Sequence, residues 1–223
     1  MTTPENIHGK ETILKLLEFK FPIDFVIIEN GSKIAENSPN YLKNDFYNPP
    51  PLMDMLNDNN IKYFFVKNHN DEDAEKILEK LKPDYIILGG TRILKNHILN
   101  KAKFGTLNAH PAMLPKYRGL DCIAWSILNG DSVGATVELC NEGIDTGDII
   151  LQETVDYSDC KRLIEVRIKV MRKCAELIIK SLIGIEFGSL KPVPQDDTLG
   201  IRHMAIPQDK LEIVESMLMH STS

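Results

Sequence analysis

The sequence lacks several features that mark whole classes of protein. It has no run of about 18 apolar residues, the length that a membrane-spanning helix needs. The net charge is −6 and no basic cluster stands out, so we expect neither a nucleic-acid partner nor a membrane. The four cysteines form no CxxC pair and match no zinc spacing. We therefore expect free thiols, no bound metal and a cytoplasmic protein.

A glycine-rich turn near the start is also missing. Doubly wound α/β proteins usually open with a strand and such a turn before their first helix. Here a helical pattern already begins at about His8, with Ile13, Leu14, Leu16 and Leu17 as its apolar positions. We therefore expect the usual first strand to be absent or very short.

What the sequence does contain is an alternation of short β-forming runs and helical patterns. Strands are predicted at residues 23–28, 61–66, 84–90 and 104–110. Their nearly continuous apolar character is typical of a parallel sheet covered on both faces. Further strands are predicted for "GATVELC" and "DIILQETV", and a long helix from about Ser158 to Ile183. The fold class is therefore α/β, with a Rossmann-like, doubly wound, mostly parallel sheet.

Asn108 and His110 stand at the end of a predicted strand, where ligands bind in such sheets. They are two positions apart, so their side chains share one face of the strand. Pro111 turns the chain out of the strand, and we expect it to leave both side chains at an exposed rim. An amide beside an imidazole can stabilise a developing oxyanion.

Two glycine-flanked stretches allow both a structural and a functional interpretation. In "NEGIDTGDII", Asp145 is either part of a polar hairpin turn or a carboxylate that orients an imidazole and accepts a proton. In "GGTRIL", Gly89 and Gly90 form either a tight turn or a backbone surface that a ligand can approach closely.

The stretch "PKYRG" contains Lys116, Tyr117 and Arg118. These residues either bind a phosphate group or lie in a solvated loop. The preceding Leu114-Pro115 bond is a candidate cis peptide in a tight turn.

Two later features also carry alternatives. Trp125 is a core residue or a platform for base stacking. Residues 200–207 are an ordinary edge segment or a flap over a substrate, with Arg202 and His203 available for phosphate.

The order of these motifs resembles one family. "GGTRIL" is followed, 16 residues after Arg92, by Asn108 in "NAHPAMLPKYRG", then by "NGD" and "GATVELCNEGIDTGDIILQE". This pattern is similar to the folate-dependent formyltransferases, which include nucleotide-sugar N-formyltransferases, methionyl-tRNA formyltransferase and glycinamide ribonucleotide transformylase. The close resemblance covers residues 84–155, and the rest of the chain matches loosely.

The resemblance implies N10-formyltetrahydrofolate as co-substrate, no metal, and a primary amine as acceptor. Asn108, His110 and Asp145 would be the catalytic residues. Residues 1–183 would form the catalytic domain, and 184–223 a short extension that is not an independent domain. The residues implied to line the folate pocket are Gly90, Thr91, Arg92, Ile93, Leu94, Asn141, Glu142, Gly143 and Ile144.

The sequence departs from the family pattern in three ways, and two of them limit the choice of acceptor. The missing glycine-rich loop counts against glycinamide ribonucleotide, and the short chain and negative charge count against tRNA. Glu138 stands where many relatives carry histidine, which leaves its role open. The leading expectation is a nucleotide-linked amino sugar, a TDP- or UDP-4-amino-deoxy sugar, with Lys116, Tyr117 and Arg118 as substrate contacts.

Four alternatives stay open at this point. They are glycinamide ribonucleotide or an amino-acid-like amine as acceptor, hydrolysis of the folate, and a folate- or nucleotide-binding module without chemistry. The resemblance also implies a homodimer formed through the C-terminal segment.

Overall fold

Helices and strands alternate along the chain in the computed structural model, which describes residues 1–30, 47 and 49–220. The described helices are α1 Ile7–Glu18, α2 Leu52–Asp58, α3 Glu72–Leu81, α4 Asn96–Leu99, α5 Cys122–Leu128, α6 Leu163–Glu186 and α7 Gln208–His220. The described strands are β1 Val26–Glu29, β2 Tyr63–Val66, β3 Tyr85–Leu88, β4 Gly105–His110, β5 Tyr117–Gly119, β6 Gly134–Leu139, β7 Asp148–Thr154 and β8 Ile201–His203. None of these helices has both the length and the apolar character needed to cross a membrane.

Parallel pairing dominates the sheets. β1 pairs with β2, β3 with β4, and β5 with β8, all in parallel. A four-stranded sheet has the order β3-β4-β6-β7. The predicted α/β, mostly parallel, Rossmann-like fold is confirmed.

The chain divides into two compact units. The first contains residues 1–108 and 139–142, and the second contains residues 109–138 and 143–223. In the first unit, one apolar cluster joins α1, β1 and α2, and another joins β1, α3, β3 and α4. The first turn of α3 is acidic, and the side chain of Asp71 caps this helix by accepting from the N–H of Ala74 at 2.8 Å.

A single residue takes the place of the usual first strand in the first unit. Thr2 bridges in parallel to Ile28 on one side and to Gly89 on the other. Its N–H donates to the carbonyl of Ile27 at 3.0 Å, and its carbonyl accepts from the N–H of Glu29 at 3.0 Å. Thr2 therefore lies between β1 and β3 in this unit.

The second unit contains α6, whose start differs from the prediction. The helix covers Leu163–Glu186 rather than 158–183. The carboxylate of Glu165 accepts from the backbone N–H groups of Lys161 at 2.7 Å and Arg162 at 3.1 Å. These two bonds satisfy donors that a helix leaves free at its start, so they place the first turn five residues later.

The C-terminal part of the described chain is packed into the second unit. β8 pairs with β5 in the register Tyr117↔Ile201 to Gly119↔His203, so residues 201–203 form an ordinary edge strand. In α7, Val214 and Leu218 are fully buried. The edge-segment interpretation of this region therefore holds for its strand.

Trp125 is half-buried in α5 and is neither a pure core residue nor an open platform. Its Nε1 donates to the carbonyl of Met204 at 2.9 Å, and its ring lies 5.1 Å from the ring of His203. Its polar atom is thus engaged by the chain itself.

Candidate active site

His110 occupies the last position of β4, and it is 3% exposed. Its Nε2 lies 2.9 Å from the carbonyl oxygen of Tyr117. A carbonyl oxygen only accepts, so Nε2 carries a proton and Nδ1 is the ring nitrogen that can gain or lose one. The prediction that His110 lies exposed at the rim is wrong. Pro111 does follow the end of the strand, but the ring is buried and contacts the backbone of β5.

Asp145 lies in the loop between β6 and β7, and the fold brings it to His110. Its Oδ1 is 3.4 Å from Nδ1 of His110, and its Oδ2 accepts the backbone N–H of Gly119 at 2.7 Å. The backbone of Asp145 has φ of 52°, in the left-handed region that few residues other than glycine adopt. Gly119 thus fixes one carboxylate oxygen and leaves the other facing the imidazole.

The contact between His110 and Asp145 is a site for one mobile proton. An ionised carboxylate and an unprotonated Nδ1 both present lone pairs, so their contact is favourable when a proton lies between them. The separation of 3.4 Å is longer than a strong charge-assisted hydrogen bond. Catalytic contacts of this kind are often long without substrate and shorten when it binds. The pair can therefore act as a proton donor or as a proton acceptor.

Glu138 anchors the far end of the Asp145 loop. The residue is 2% exposed in β6, and its Oε2 accepts the backbone N–H of Gly147 at 2.8 Å. A buried carboxylate with a backbone donor is well suited to fixing a turn. This contact gives a structural role to the residue whose role the sequence left open.

The thiol of Cys122 lies near this site but is not a nucleophile. Burial raises its pKa to about 12, and the negative charges of Asp145 and Asp121 add to the shift. The thiol is therefore protonated at neutral pH. All four cysteines are free.

The "PKYRG" side chains are largely engaged with other residues. Lys116 Nζ lies 2.6 Å from Asp131, although 56% of its side chain is exposed. The hydroxyl of Tyr117 donates to the same carboxylate. Burial and the neighbouring Asp131 raise the pKa of Tyr117. The side chain of Tyr117 is thus part of the framework, and Lys116 is the more accessible of the two.

Arg118 is 7% exposed, and its guanidinium donates to Asp197 at 2.9 Å and to Gln195 at 2.8 Å. An arginine paired in this way is less available to a phosphate group than the sequence motif suggests. The preceding Leu114-Pro115 peptide bond is cis.

Asn108 is half-buried on β4, in register with Leu88 of β3 within the first unit. In the "GGTRIL" stretch, Leu94 is buried in an apolar cluster and Ile93 is 63% exposed. Gly90 lies close to Asn6, whose amide donates to the carbonyl of Gly90 at 3.3 Å. Thr91 is half-buried.

Arg92 holds the "GGTRIL" loop through a buried carboxylate. Its guanidinium binds both oxygens of Glu29, with Nε at 2.8 Å from Oε2. The N–H of His69 donates to the same oxygen at 2.8 Å. Burial opposes ionisation of Glu29, but the donors from Arg92 and His69 outweigh it and keep its pKa below the usual value.

His69 is fully buried next to this pair. Burial lowers its pKa to about 4, so the 3.2 Å contact between His69 Nδ1 and Glu29 involves a neutral imidazole at pH 7. Among the predicted folate contacts on the other loop, Asn141, Glu142 and Gly143 are exposed and Ile144 is half-buried.

A group of metal ligands and an internal cavity are two other features that could mark a functional site. Among residues 1–30, 47 and 49–220, no group of three or more His, Cys, Asp or Glu residues could hold a metal ion. A cavity of about 140 Å³ lies within the first unit, beneath α1 and beside β1 and β3. None of the predicted catalytic or folate-binding residues lines it, so the chemistry is not assigned to this cavity.

The sequence pointed to Asn108, His110 and Asp145, and the structure brings the last two together. It missed three groups: the carbonyl of Tyr117, the N–H of Gly119 and the side chain of Gln195, which donates to the carbonyls of Asp145 and Gly147. The two backbone groups have no side-chain signature. Gln195 lies 50 residues from Asp145, so no local sequence pattern could predict the contact between them.

Comparison with known proteins gives a consistent picture. The family model described as formyl transferase matches residues 36–180. A methionyl-tRNA formyltransferase from Clostridium tetani is 35% identical over 150 residues, which cover 66% of this chain and 48% of that protein. The corresponding protein from Clostridium beijerinckii is 37% identical over 132 residues, 58% of this chain and 43% of that protein. The chain thus spans about half the length of these curated relatives.

Solved structures share the fold at low sequence identity. An N-formyltransferase from Helicobacter canadensis, in complex with folinic acid and dTDP-3-aminofucose, has a TM-score of 0.67 at 18% identity and covers 98% of this chain and 78% of its own. A formyltransferase from Anoxybacillus kamchatkensis has a TM-score of 0.56 at 20% identity, and the match covers 89% of this chain and 99% of that chain. Glycinamide ribonucleotide transformylase 1 from Symbiobacterium toebii has a TM-score of 0.60 at 17% identity, and the match covers 86% of this chain and 92% of that chain.

The family match extends over more than half of the chain, and it includes "GGTRIL", β4 with His110, and the loop with Asp145. This chain therefore belongs to the formyl transferase family.

Proposed function

We propose that this protein transfers a formyl group from N10-formyltetrahydrofolate to the primary amine of a small acceptor. The observation that carries the proposal is the contact of 3.4 Å between Nδ1 of His110 and Oδ1 of Asp145, with Nε2 of the same ring bound to the carbonyl of Tyr117. Formyl transfer to an amine needs such a group, because the attacking amine loses a proton and the departing folate nitrogen gains one. Membership of the formyl transferase family supports the same reaction.

Three side chains have distinct roles in this proposal. A new C–N bond forms between the amine and the formyl carbon, and the bond from that carbon to the folate nitrogen breaks. The amide of Asn108 and the positive charge of protonated His110 stabilise the negative charge that develops on the formyl oxygen. Asp145 takes the proton from the amine, directly or through a water, and the pair returns one to the leaving nitrogen.

The folate supplies an activated formyl group when it is bound. We propose that residues 90–94 and 141–144 hold its pterin ring. Because Glu29 holds the side chain of Arg92, this residue contributes through its backbone. The exposure of Asn141, Glu142 and Gly143 leaves these residues accessible to a ligand.

For the acceptor, we propose a nucleotide-linked amino sugar, in particular a TDP- or UDP-4-amino-deoxy sugar. Two structures of the same fold were solved with such ligands: dTDP-3-aminofucose in one, and a UDP-linked 4-formamido sugar in the other. The net charge of −6 is unfavourable for a large polyanion but does not prevent binding of one diphosphate. Among the "PKYRG" residues, Lys116 has the most accessible charge for this contact.

A second acceptor is favoured by a different observation. The curated relatives at 35% and 37% identity are methionyl-tRNA formyltransferases. Methionyl-tRNA also presents a primary amine, so the same proton-transfer pair would serve it. The two acceptors differ greatly in charge, and this difference separates them experimentally.

The test is an incubation of the protein with N10-formyltetrahydrofolate and a panel of acceptors. The panel contains TDP- and UDP-amino sugars, glycinamide ribonucleotide and methionyl-tRNA, and mass spectrometry detects products heavier by one formyl group. We expect product with an amino sugar at the highest kcat/KM. Turnover of only methionyl-tRNA or glycinamide ribonucleotide would reassign the acceptor. Formate release without any amine, at the rate of transfer, would indicate a hydrolase.

A further inference from the structure

We propose that Gln195 is a positioning residue for the His110–Asp145 pair. This inference rests on the proposed function, because it assigns to Gln195 the task of holding the proton-transfer groups of that reaction. Gln195 lies in the segment between α6 and β8, far from the catalytic motifs in sequence. It touches Asp145 through the backbone only, so it takes no direct part in the chemistry.

The orientation of the Gln195 amide is fixed by its partners. Its Nε2 donates to the carbonyl of Asp145 at 3.1 Å and to the carbonyl of Gly147 at 2.6 Å. Its Oε1 accepts from the guanidinium of Arg118 at 2.8 Å. Carbonyl groups only accept and a guanidinium only donates, so the reversed amide would lose all three contacts.

These contacts hold a backbone that the chain would not otherwise favour. Asp145 has φ of 52°, and a residue other than glycine pays a free-energy cost to adopt it. Gln195 clamps the carbonyls on both sides of Thr146, while Glu138 holds the N–H of Gly147 at 2.8 Å. The conformation that directs the Asp145 carboxylate to the imidazole is thus supported from two sides.

The same glutamine also connects the loop to the strand that contacts both catalytic side chains. Arg118, its partner, lies in β5 between the two residues whose backbone groups bind the pair. The carbonyl of Tyr117 accepts from His110, and the N–H of Gly119 donates to Asp145. Asp197 binds the same guanidinium at 2.9 Å and fixes it from the C-terminal segment. Gln195 therefore couples the Asp145 loop to β5 through one amide.

Two substitutions separate positioning from simple loss of packing. Gln195→Glu keeps the shape and the acceptor for Arg118 but replaces the donor that binds the two carbonyls. Gln195→Met keeps the volume and removes every hydrogen bond. Gln208→Glu is the control, because Gln208 is exposed on α7, where its amide donates to Glu212 at 3.3 Å, far in sequence from the Asp145 loop.

We expect both Gln195 variants to lower kcat by about 10- to 100-fold, since small displacements of catalytic groups have effects of this size. KM for the folate should stay within about twofold, and the pH profile of kcat should move. The control should keep the wild-type kcat and pH profile. Wild-type kcat and an unmoved profile in both variants would overturn the proposal.

A second readout does not depend on turnover. Histidine-labelled protein allows the imidazole of His110 to be observed by NMR, with His110→Gln to identify its signals. In both Gln195 variants we expect the chemical shifts of the His110 ring to change at fixed pH, while Gln208→Glu leaves them in place. Absence of turnover in the wild type would refute the proposed function alone. Unchanged His110 ring signals in folded Gln195 variants would refute the positioning role.

Discussion

Tyr117 contributes to the candidate site through its backbone, whereas its side chain belongs to the framework. The carbonyl accepts from Nε2 of His110 at 2.9 Å. The hydroxyl donates to Asp131 and accepts from the amide of Asn129 at 3.0 Å. A sequence motif shows only the side chain, so "PKYRG" suggested a ligand contact where the chain uses a main-chain group.

Substituting Tyr117→Phe therefore separates stability from activity. The variant leaves Asp131 and Asn129 without the phenol, and we expect the free energy of unfolding to fall by about 1–3 kcal/mol. We expect kcat to stay within about threefold, because the carbonyl of residue 117 remains. Urea unfolding and steady-state kinetics measure the two effects. A large loss of kcat in a stable variant would instead place the phenol in contact with substrate.

His69 predicts a dependence of stability on pH. Burial and the nearby N-terminal ammonium lower its pKa from 6.5 to about 4 in the folded protein, although the charge of Glu29 opposes this. As pH falls below 6.5, the unfolded chain binds a proton at His69 and the folded chain does not. The contribution of His69 is thus fully present above the unfolded pKa and is lost as pH falls towards 4.

The comparison with His69→Gln tests this sign. Between pH 7.5 and 4.5, we expect the unfolding free energy of the wild type to fall more steeply than that of the variant, by up to about 1.4 kcal/mol per pH unit. His220→Gln, an exposed histidine near the end of α7, controls for the substitution itself. Parallel profiles for wild type and His69→Gln would show that the folded protein protonates His69 as readily as the unfolded chain does.

Individual elements were predicted where their cause is local. The apolar positions of α1 and the continuous apolar character of the parallel strands are both contained in short windows, and both predictions are confirmed. β5 was not predicted, because "PKYRG" allowed only a choice between a phosphate contact and a solvated loop, and its partner β8 lies more than 80 residues away. The support for Asp145 depends on the same distant segment, so local patterns could not reveal it.

The close pairing of β5 with β8 makes Gly119 sensitive to substitution. Gly119 has φ of 94°, and an added Cβ would lie 2.3 Å from the carbonyl oxygen of His203. Backbone must move to relieve this contact, so we expect Gly119→Ala to lower the free energy of unfolding by about 3 kcal/mol.

Gly188→Ala is the matched control, because Gly188 also has positive φ, 67°, but an added Cβ meets nothing within 4 Å. We expect it to cost about 1 kcal/mol, the conformational term alone. Chemical denaturation of both variants gives the comparison. Equal losses would mean that β8 does not lie tightly against β5.

The net charge of the chain bears on the choice of acceptor. The chain carries −6 at pH 7, and a tRNA acceptor would have to bind against this charge. A nucleotide sugar needs only one or two local cations, of which Lys116 is an accessible one.

Salt therefore discriminates between the two acceptors. We expect kcat/KM for a nucleotide sugar to change by less than about tenfold between 50 and 200 mM salt, whereas a polyanion held by several phosphate contacts loses about 10³-fold or more. The same series with methionyl-tRNA provides the comparison. A steep salt dependence with efficient turnover of methionyl-tRNA would favour the second acceptor.

We propose that the His110–Asp145 pair moves the proton during formyl transfer. The most direct measurement is the single-turnover rate of formyl transfer by Asp145→Asn, with folate affinity determined on the same sample. Asn retains an oxygen for the N–H of Gly119 but cannot take up a proton in place of the carboxylate. We predict folate affinity within about threefold of wild type and a transfer rate lower by about 10²- to 10⁴-fold. Transfer by Asp145→Asn at the wild-type rate would show that the carboxylate of Asp145 does not move the proton.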